Sequence, residues 1–98
     1  MSTWPNARFD ILYYDDKADS NEPCEVILAG DELTVSYYNE HIEGYVIYKG
    51  KEIAPGHFEL TAPMVKGHAT LHRFLDAEVL VGEWIEDGYK GMWRIELN

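Results

Sequence analysis

The chain has 98 residues, 18 of them acidic against 8 basic, for a formal charge of −10, and 46% of it is hydrophobic. That is enough for one packed core at a length too short for two, and no apolar run is long enough to cross a bilayer. So acidic a surface disfavours direct contact with nucleic acid, because each phosphate contact calls for Lys or Arg.

Apolar residues at helical spacing are almost absent, and eight glycines and four prolines interrupt the chain. Alternation with a period of two recurs instead, in segments rich in Val, Ile, Tyr, Phe and Trp, as strands prefer. The opening Met1-Ser2-Thr3-Trp4-Pro5 lacks the basic start and apolar run of a secretory signal. The first expected strand is Arg8–Tyr14. The polar run from Asp15 to Pro23 has nothing to bury and reads as a mobile surface loop.

Strands at Cys24–Ala29 and Glu32–Tyr38 follow, joined by Gly30-Asp31 with glycine first, as a II′ turn wants. That turn sets Leu28 opposite Leu33, Val26 opposite Val35 and Cys24 opposite Tyr37, all on one face. A turn at Asn39-Glu40 then leads into Ile42–Lys49, with Tyr37 opposite Ile42, Val35 opposite Gly44 and Leu33 opposite Val46. Gly50 to Gly56 reads as an irregular connection. His57–Ala62 and His68–Phe74 form the next hairpin, turning through Val65-Lys66, with Glu59 opposite His72 and Thr61 opposite Thr70.

The last hairpin, Glu78–Glu86 with Tyr89–Leu97, carries the clearest signal. Asp87-Gly88 is a type I′ turn sequence, and pairing outward from it puts Trp84 opposite Gly91, Gly82 opposite Trp93 and Leu80 opposite Ile95. The segments Gly82-Glu83-Trp84 and Gly91-Met92-Trp93 interlock, each indole over the other strand's glycine. Strand glycines mark close backbone approach or a sharp bend, as when a sheet curls into a small barrel. The expected fold is therefore all-β: an eight-stranded antiparallel up-and-down meander forming one small, closed or nearly closed barrel, which hides both sheet edges.

This strand order, with a closing hairpin marked by Gly82, Trp84, Gly91 and Trp93, resembles the up-and-down barrels of the calycin group: lipocalins, fatty-acid-binding proteins and avidins. The resemblance implies a small barrel able to hold a ligand. Lipocalins carry their Gly-x-Trp on the first strand, whereas here it sits on the last two, so it assigns no ligand-binding residue to any position of this chain.

The register points Phe9, Ile11, Tyr13, Val26, Leu28, Leu33, Val35, Tyr37, Val46, Phe58, Leu60, Leu71, Leu80, Trp84, Trp93 and Ile95 inward. Tyr13, Tyr37, Tyr48, Trp84 and Trp93 are candidates to line one end of a cavity for a small apolar ligand, their hydroxyls and indole N–H groups fixing its orientation. The plainer reading makes them core aromatics whose polar tips reach water or a backbone carbonyl, since small barrels fill their interiors with side chains. His57, Glu59 and His72 offer imidazole and carboxylate at strand spacing, a weak candidate for zinc; a solvated polar face explains them as well.

Catalytic patterns are thin. None of the three serines lies in a Gly-x-Ser-x-Gly elbow, Cys24 sits at an inward position, and Asp15-Asp16 and Glu86-Asp87 fall in loops and turns, where carboxylates solvate the chain. The expectation is a non-enzymatic protein needing no cofactor. The lone cysteine fits a reducing compartment and so a cytoplasmic location. The alternative function rests on charge: an acidic inhibitor, immunity-type or nucleic-acid-mimicking protein that blocks a basic macromolecular partner. On the outer face, Val79, Val81, Ile85 and Met92 form an apolar stripe among Glu83 and Arg94, a candidate protein contact compatible with a monomer or a homodimer.

Overall fold

The computed structural model describes residues 1–13 and 18–98. Eight strands run in chain order: β1 (Ser2–Tyr13), β2 (Ala18–Ala29), β3 (Glu32–Asn39), β4 (Gly44–Ala54), β5 (His57–Ala62), β6 (Gly67–His72), β7 (Val79–Glu86) and β8 (Tyr89–Glu96). Each pairs antiparallel with its neighbour in sequence, and β8 returns to β1 from Arg8↔Glu96 to Tyr13↔Gly91, closing the barrel. The only helical element among the described residues is a single 3-10 turn, Pro63–Val65. No helix there is long and apolar enough to cross a membrane.

Alternation makes the core. Val26, Leu33, Val35, Val46, Tyr48, Leu60, Leu71, Leu80 and Ile95 are sealed inside, and the described residues bury no polar or charged residue. Every position assigned inward from the sequence belongs to this cluster or packs against it; Ile11, Tyr13, Leu28 and Tyr37 are only partly covered. The sequence list lacked Ala7, Ala62, Ala69, Leu97 and the sealed Tyr48.

The β7–β8 hairpin has the expected pairing, Trp84↔Gly91, Gly82↔Trp93 and Leu80↔Ile95. Asp87 and Gly88 both take positive φ, 48° and 87°, as a type I′ turn requires. Trp84 and Trp93 point inward, 6% and 4% exposed. The glycines are not equivalent. A Cβ on Gly91 would run into the Trp84 indole and the Leu12 carbonyl, whereas one on Gly82 would overlap the Thr70 carbonyl of β6.

Several expected features need correction. β1 begins at Ser2, because Ser2–Trp4 pair with Leu28–Val26; Pro5, which has no N–H to give a ladder, sits in the irregularity between Trp4 and Ala7. The expected end of the first strand at Tyr14, and the first part of the expected loop, lie outside the described residues. The remainder of that loop, from Ala18, is strand: Leu12 faces Ala18 and Phe9 faces Glu22. Polar side chains of β1 staple it. Asn21 adopts φ of 58° at a bulge, its N–H donates to Asp10 Oδ1 at 2.8 Å, and its carbonyl accepts from Arg8 at 3.2 Å.

The β3–β4 register differs by four residues: Tyr37 faces Val46 rather than Ile42, and Val35 faces Tyr48. The turn is longer than two residues because Asn39 Oδ1 accepts the His41 N–H at 2.9 Å and Glu43 takes φ of 50°. β4 then continues to Ala54, so most of the supposed irregular connection is strand, and the turn is made by Pro55 and Gly56, the latter with φ of 76°. The β2–β3 ladder ends at Glu25↔Ser36, one pair short of the expected Cys24–Tyr37 partnership. In β5–β6 the register differs by two, giving His57↔His72 and Glu59↔Thr70. Proline starts a 3-10 turn there and Lys66, in the left-handed region, ends it.

Candidate functional site

In an up-and-down barrel, the β1–β2, β3–β4, β5–β6 and β7–β8 connections gather at one end. At the opposite end, Trp4 packs against the core with the Arg73 guanidinium 5.4 Å from its ring centre, and the Arg73 N–H bonds the Gly56 carbonyl. Among the described residues, the first end is open. A cavity of about 750 Å³ enters the barrel there, running from the β3–β4 turn and Lys66 down to Phe9, Tyr48 and Trp93.

Its wall is aromatic. Tyr13, Tyr37, Tyr48, Trp84 and Trp93, the five residues singled out from the sequence, all line it, together with Phe9 and Ile11. The rings pair off: Tyr13 with Trp84 edge-on at 5.2 Å, Tyr48 with Trp93 edge-on at 5.3 Å, and Phe9 with Tyr37 tilted at 5.0 Å. Such pairs contribute about 0.5–1.5 kcal/mol each beyond the area they bury. The wall is thus held in place by its own contacts.

The polar tips do not all point at the cavity. Trp84 Nε1 donates to the Met92 carbonyl and Trp93 Nε1 to the Thr70 carbonyl, each at 3.2 Å. The indole N–H groups are therefore committed to the barrel and are not free to orient a ligand, contrary to expectation. Tyr13 donates to Asp19 Oδ2 at 3.3 Å. The Tyr48 hydroxyl donates to Glu86 Oε2 at 2.9 Å, and the Tyr37 hydroxyl bonds to the same carboxylate. Burial and the neighbouring Glu86 push both phenols well above the usual tyrosine range.

Glu86, expected with Asp87 in a turn as a carboxylate that solvates the chain, is instead part of the cavity wall. As the last position of β7 it follows the inward parity of Leu80, Gly82 and Trp84, which brings its carboxylate half-buried into the cavity wall. Loss of hydration raises its pKa, and the bonds from Tyr48 and Tyr37 hold that rise back. Around it, the exposed lining residues include Asp19, Glu22, Glu40 and Asp87, against His41 and a Lys66 that pairs with Asp87 at 3.9 Å.

The other candidates lie elsewhere. His57 and His72 meet ring to ring on the outer face, centroids 4.7 Å apart, with Glu59 paired to Thr70 instead of His72. No group of three or more metal-binding side chains converges among the described residues. Val81, Glu83, Ile85, Met92 and Arg94 are exposed on the outer face and Val79 is half-covered; Leu12 of β1 extends the stripe beside Met92, and Arg94 pairs with Glu96. Cys24 is buried, its thiol pushed up to about 12 by lost hydration despite the nearby Arg8 cation. No protein-family model, no curated protein and no solved structure matches this chain.

Proposed function

We propose that the protein is a non-enzymatic binding module that takes a small ligand with an apolar body into the open, aromatic-lined end of its barrel. The observation that carries this reading is the cavity of about 750 Å³, a size that suits a small organic molecule, walled by three pairs of mutually packed rings. A wall fixed before the ligand arrives loses little side-chain freedom on binding, which favours affinity. The likeness to calycin-type barrels, one of architecture alone, points the same way.

Trp84 and Trp93 make the test direct. A panel of neutral and charged molecules with hydrocarbon bodies is titrated into the full chain while tryptophan emission is followed. Saturable, one-to-one changes are expected for part of the panel. Silence across all of it, with calorimetry agreeing, would remove the proposal.

A further inference from the structure

The polar chemistry of the cavity's aromatic wall is one-sided. The donors of its aromatic wall are spent within the protein: Tyr48 and Tyr37 on Glu86, Tyr13 on Asp19, and the two indoles on the Met92 and Thr70 carbonyls. What the wall turns to an incoming molecule is therefore ring faces, phenolic lone pairs and a carboxylate. Two hydroxyl donors occupy only part of a carboxylate's capacity of about four acceptor positions. Glu86 is also removed from much of its hydration, a costly state for a charge that no cation among the described residues accompanies.

Resting on the ligand-binding reading above, we infer that the cavity selects an organic cation: a protonated amine on an apolar body, its ammonium on the Glu86 carboxylate and its body against Trp84 and Trp93. The ammonium supplies the donors the wall lacks and compensates the half-buried charge. Ring faces attract cations through their quadrupole, by about 0.5–2 kcal/mol per contact depending on desolvation. Asp19, Glu22, Glu40 and Asp87 at the mouth raise the local concentration of cations and turn carboxylates and phosphates away. Lys66, the one lysine in the described lining, is paired with Asp87 and does not reverse that field.

Three probes of matched length separate charge from hydrophobicity: hexylammonium, 1-hexanol and hexanoate, titrated at pH 8 into the full chain and into Glu86→Gln. Hexylammonium is expected to bind the unchanged protein at least tenfold more tightly than hexanol, with hexanoate weakest. Glu86→Gln is expected to bring hexylammonium down to the level of hexanol. Hexanol binding as well as hexylammonium, or a cation preference that survives Glu86→Gln, would overturn the assignment while leaving a ligand-binding barrel in place. Failure of all three probes overturns both readings. The comparison of probes on the unchanged chain decides the matter even if the substituted protein does not fold.

Discussion

Tyr48 reaches Glu86 because the residue beneath its ring, Gly67, has no side chain. A Cβ at Gly67 would fall on the Tyr48 hydroxyl and 2.7 Å from the ring carbon that bears it. Gly67 is itself the β6 partner of Glu86, so one missing methyl group permits a phenol of β4 to bond a carboxylate of β7 across β6. The Tyr48 ring is 1% exposed and locked edge-on against Trp93, so it has no free direction in which to yield.

The substitution Gly67→Ala is therefore expected to cost about 1–3 kcal/mol, the usual range for overpacking a filled interior. Tyr48→Phe, which deletes only the oxygen, is expected to cost about 1–2 kcal/mol by leaving Glu86 short of a donor. Urea unfolding of the two variants and their combination tests the link. Because Gly67→Ala already breaks the bond, the double variant should be less destabilised than the sum of the two. Strict additivity would mean the two changes act separately.

Glycines of this barrel serve two different ends, and alanine distinguishes them. At Gly82 a methyl group would overlap the Thr70 carbonyl and lie 3.0 Å from the Leu71 Cα; that same carbonyl accepts the Trp93 indole. Backbone cannot rotate away as a side chain can, so Gly82→Ala should cost more than about 4 kcal/mol, enough to unfold a marginal domain. At Gly30 the space is empty and only the φ of 65° matters, so Gly30→Ala should cost about 1–2 kcal/mol. Thermal unfolding followed by tryptophan emission measures both. A tolerant Gly82 would contradict the closeness of β6 and β7.

These contrasts explain what could be read from the sequence. Asp87-Gly88 announces its turn by residue type, and the Gly/Trp alternation on both sides admits only one pairing, so the β7–β8 hairpin was legible to the residue. The turns after Asn39 and Ala62 were not, because Glu43 and Lys66 adopt left-handed conformations without being glycine, held by an Asn39 side-chain bond in one case and a proline-started 3-10 turn in the other. Both errors were even, four residues and two, so no side chain changed face and the core survived them. The site fared differently. Its aromatic wall follows from period-two alternation, whereas Glu86 was hidden by its charge. A glutamate beside a turn suggests solvent, and only the parity it shares with Trp84 points inward.

Cys24 provides a test of how tightly the barrel closes. Native protein at pH 8 should react with a thiol reagent only as fast as the barrel opens, while urea-unfolded chain should react at once. The thiol's folded value of about 12 lies above its ordinary 9.0. The folded state thus holds this proton more firmly than the unfolded one. The stability this contributes is complete below about pH 9 and is lost as pH rises toward 12. Tyr37 and Tyr48, both shifted upward, add to the loss with the same sign at still higher pH. Cys24→Ala should flatten the first part of the alkaline decline. Rapid native labelling would show that β2 does not shield its inward side.

Glu86 gives the opposite of ordinary acid behaviour. A carboxylate paired in the folded state has a lowered pKa and destabilises the fold when protonated, but here burial raises it above the usual 4.5, against the bonds from Tyr48 and Tyr37. Among the described residues, the groups that face it from neighbouring elements are those two phenols, Tyr89 across the hairpin, and the adjoining Asp87 with its partner Lys66. None supplies a direct cation to the carboxylate. Its contribution to stability is therefore complete below about pH 4.5 and disappears as pH rises through the higher folded value. Glu86→Gln removes this dependence while keeping an acceptor for the tyrosines. The unfolding free energy of the unchanged protein minus that of Glu86→Gln, taken from urea curves between pH 4.5 and 7.5, should fall as pH rises. A difference that grows with pH would mean that Glu86 is better solvated or better paired than its place in the wall implies.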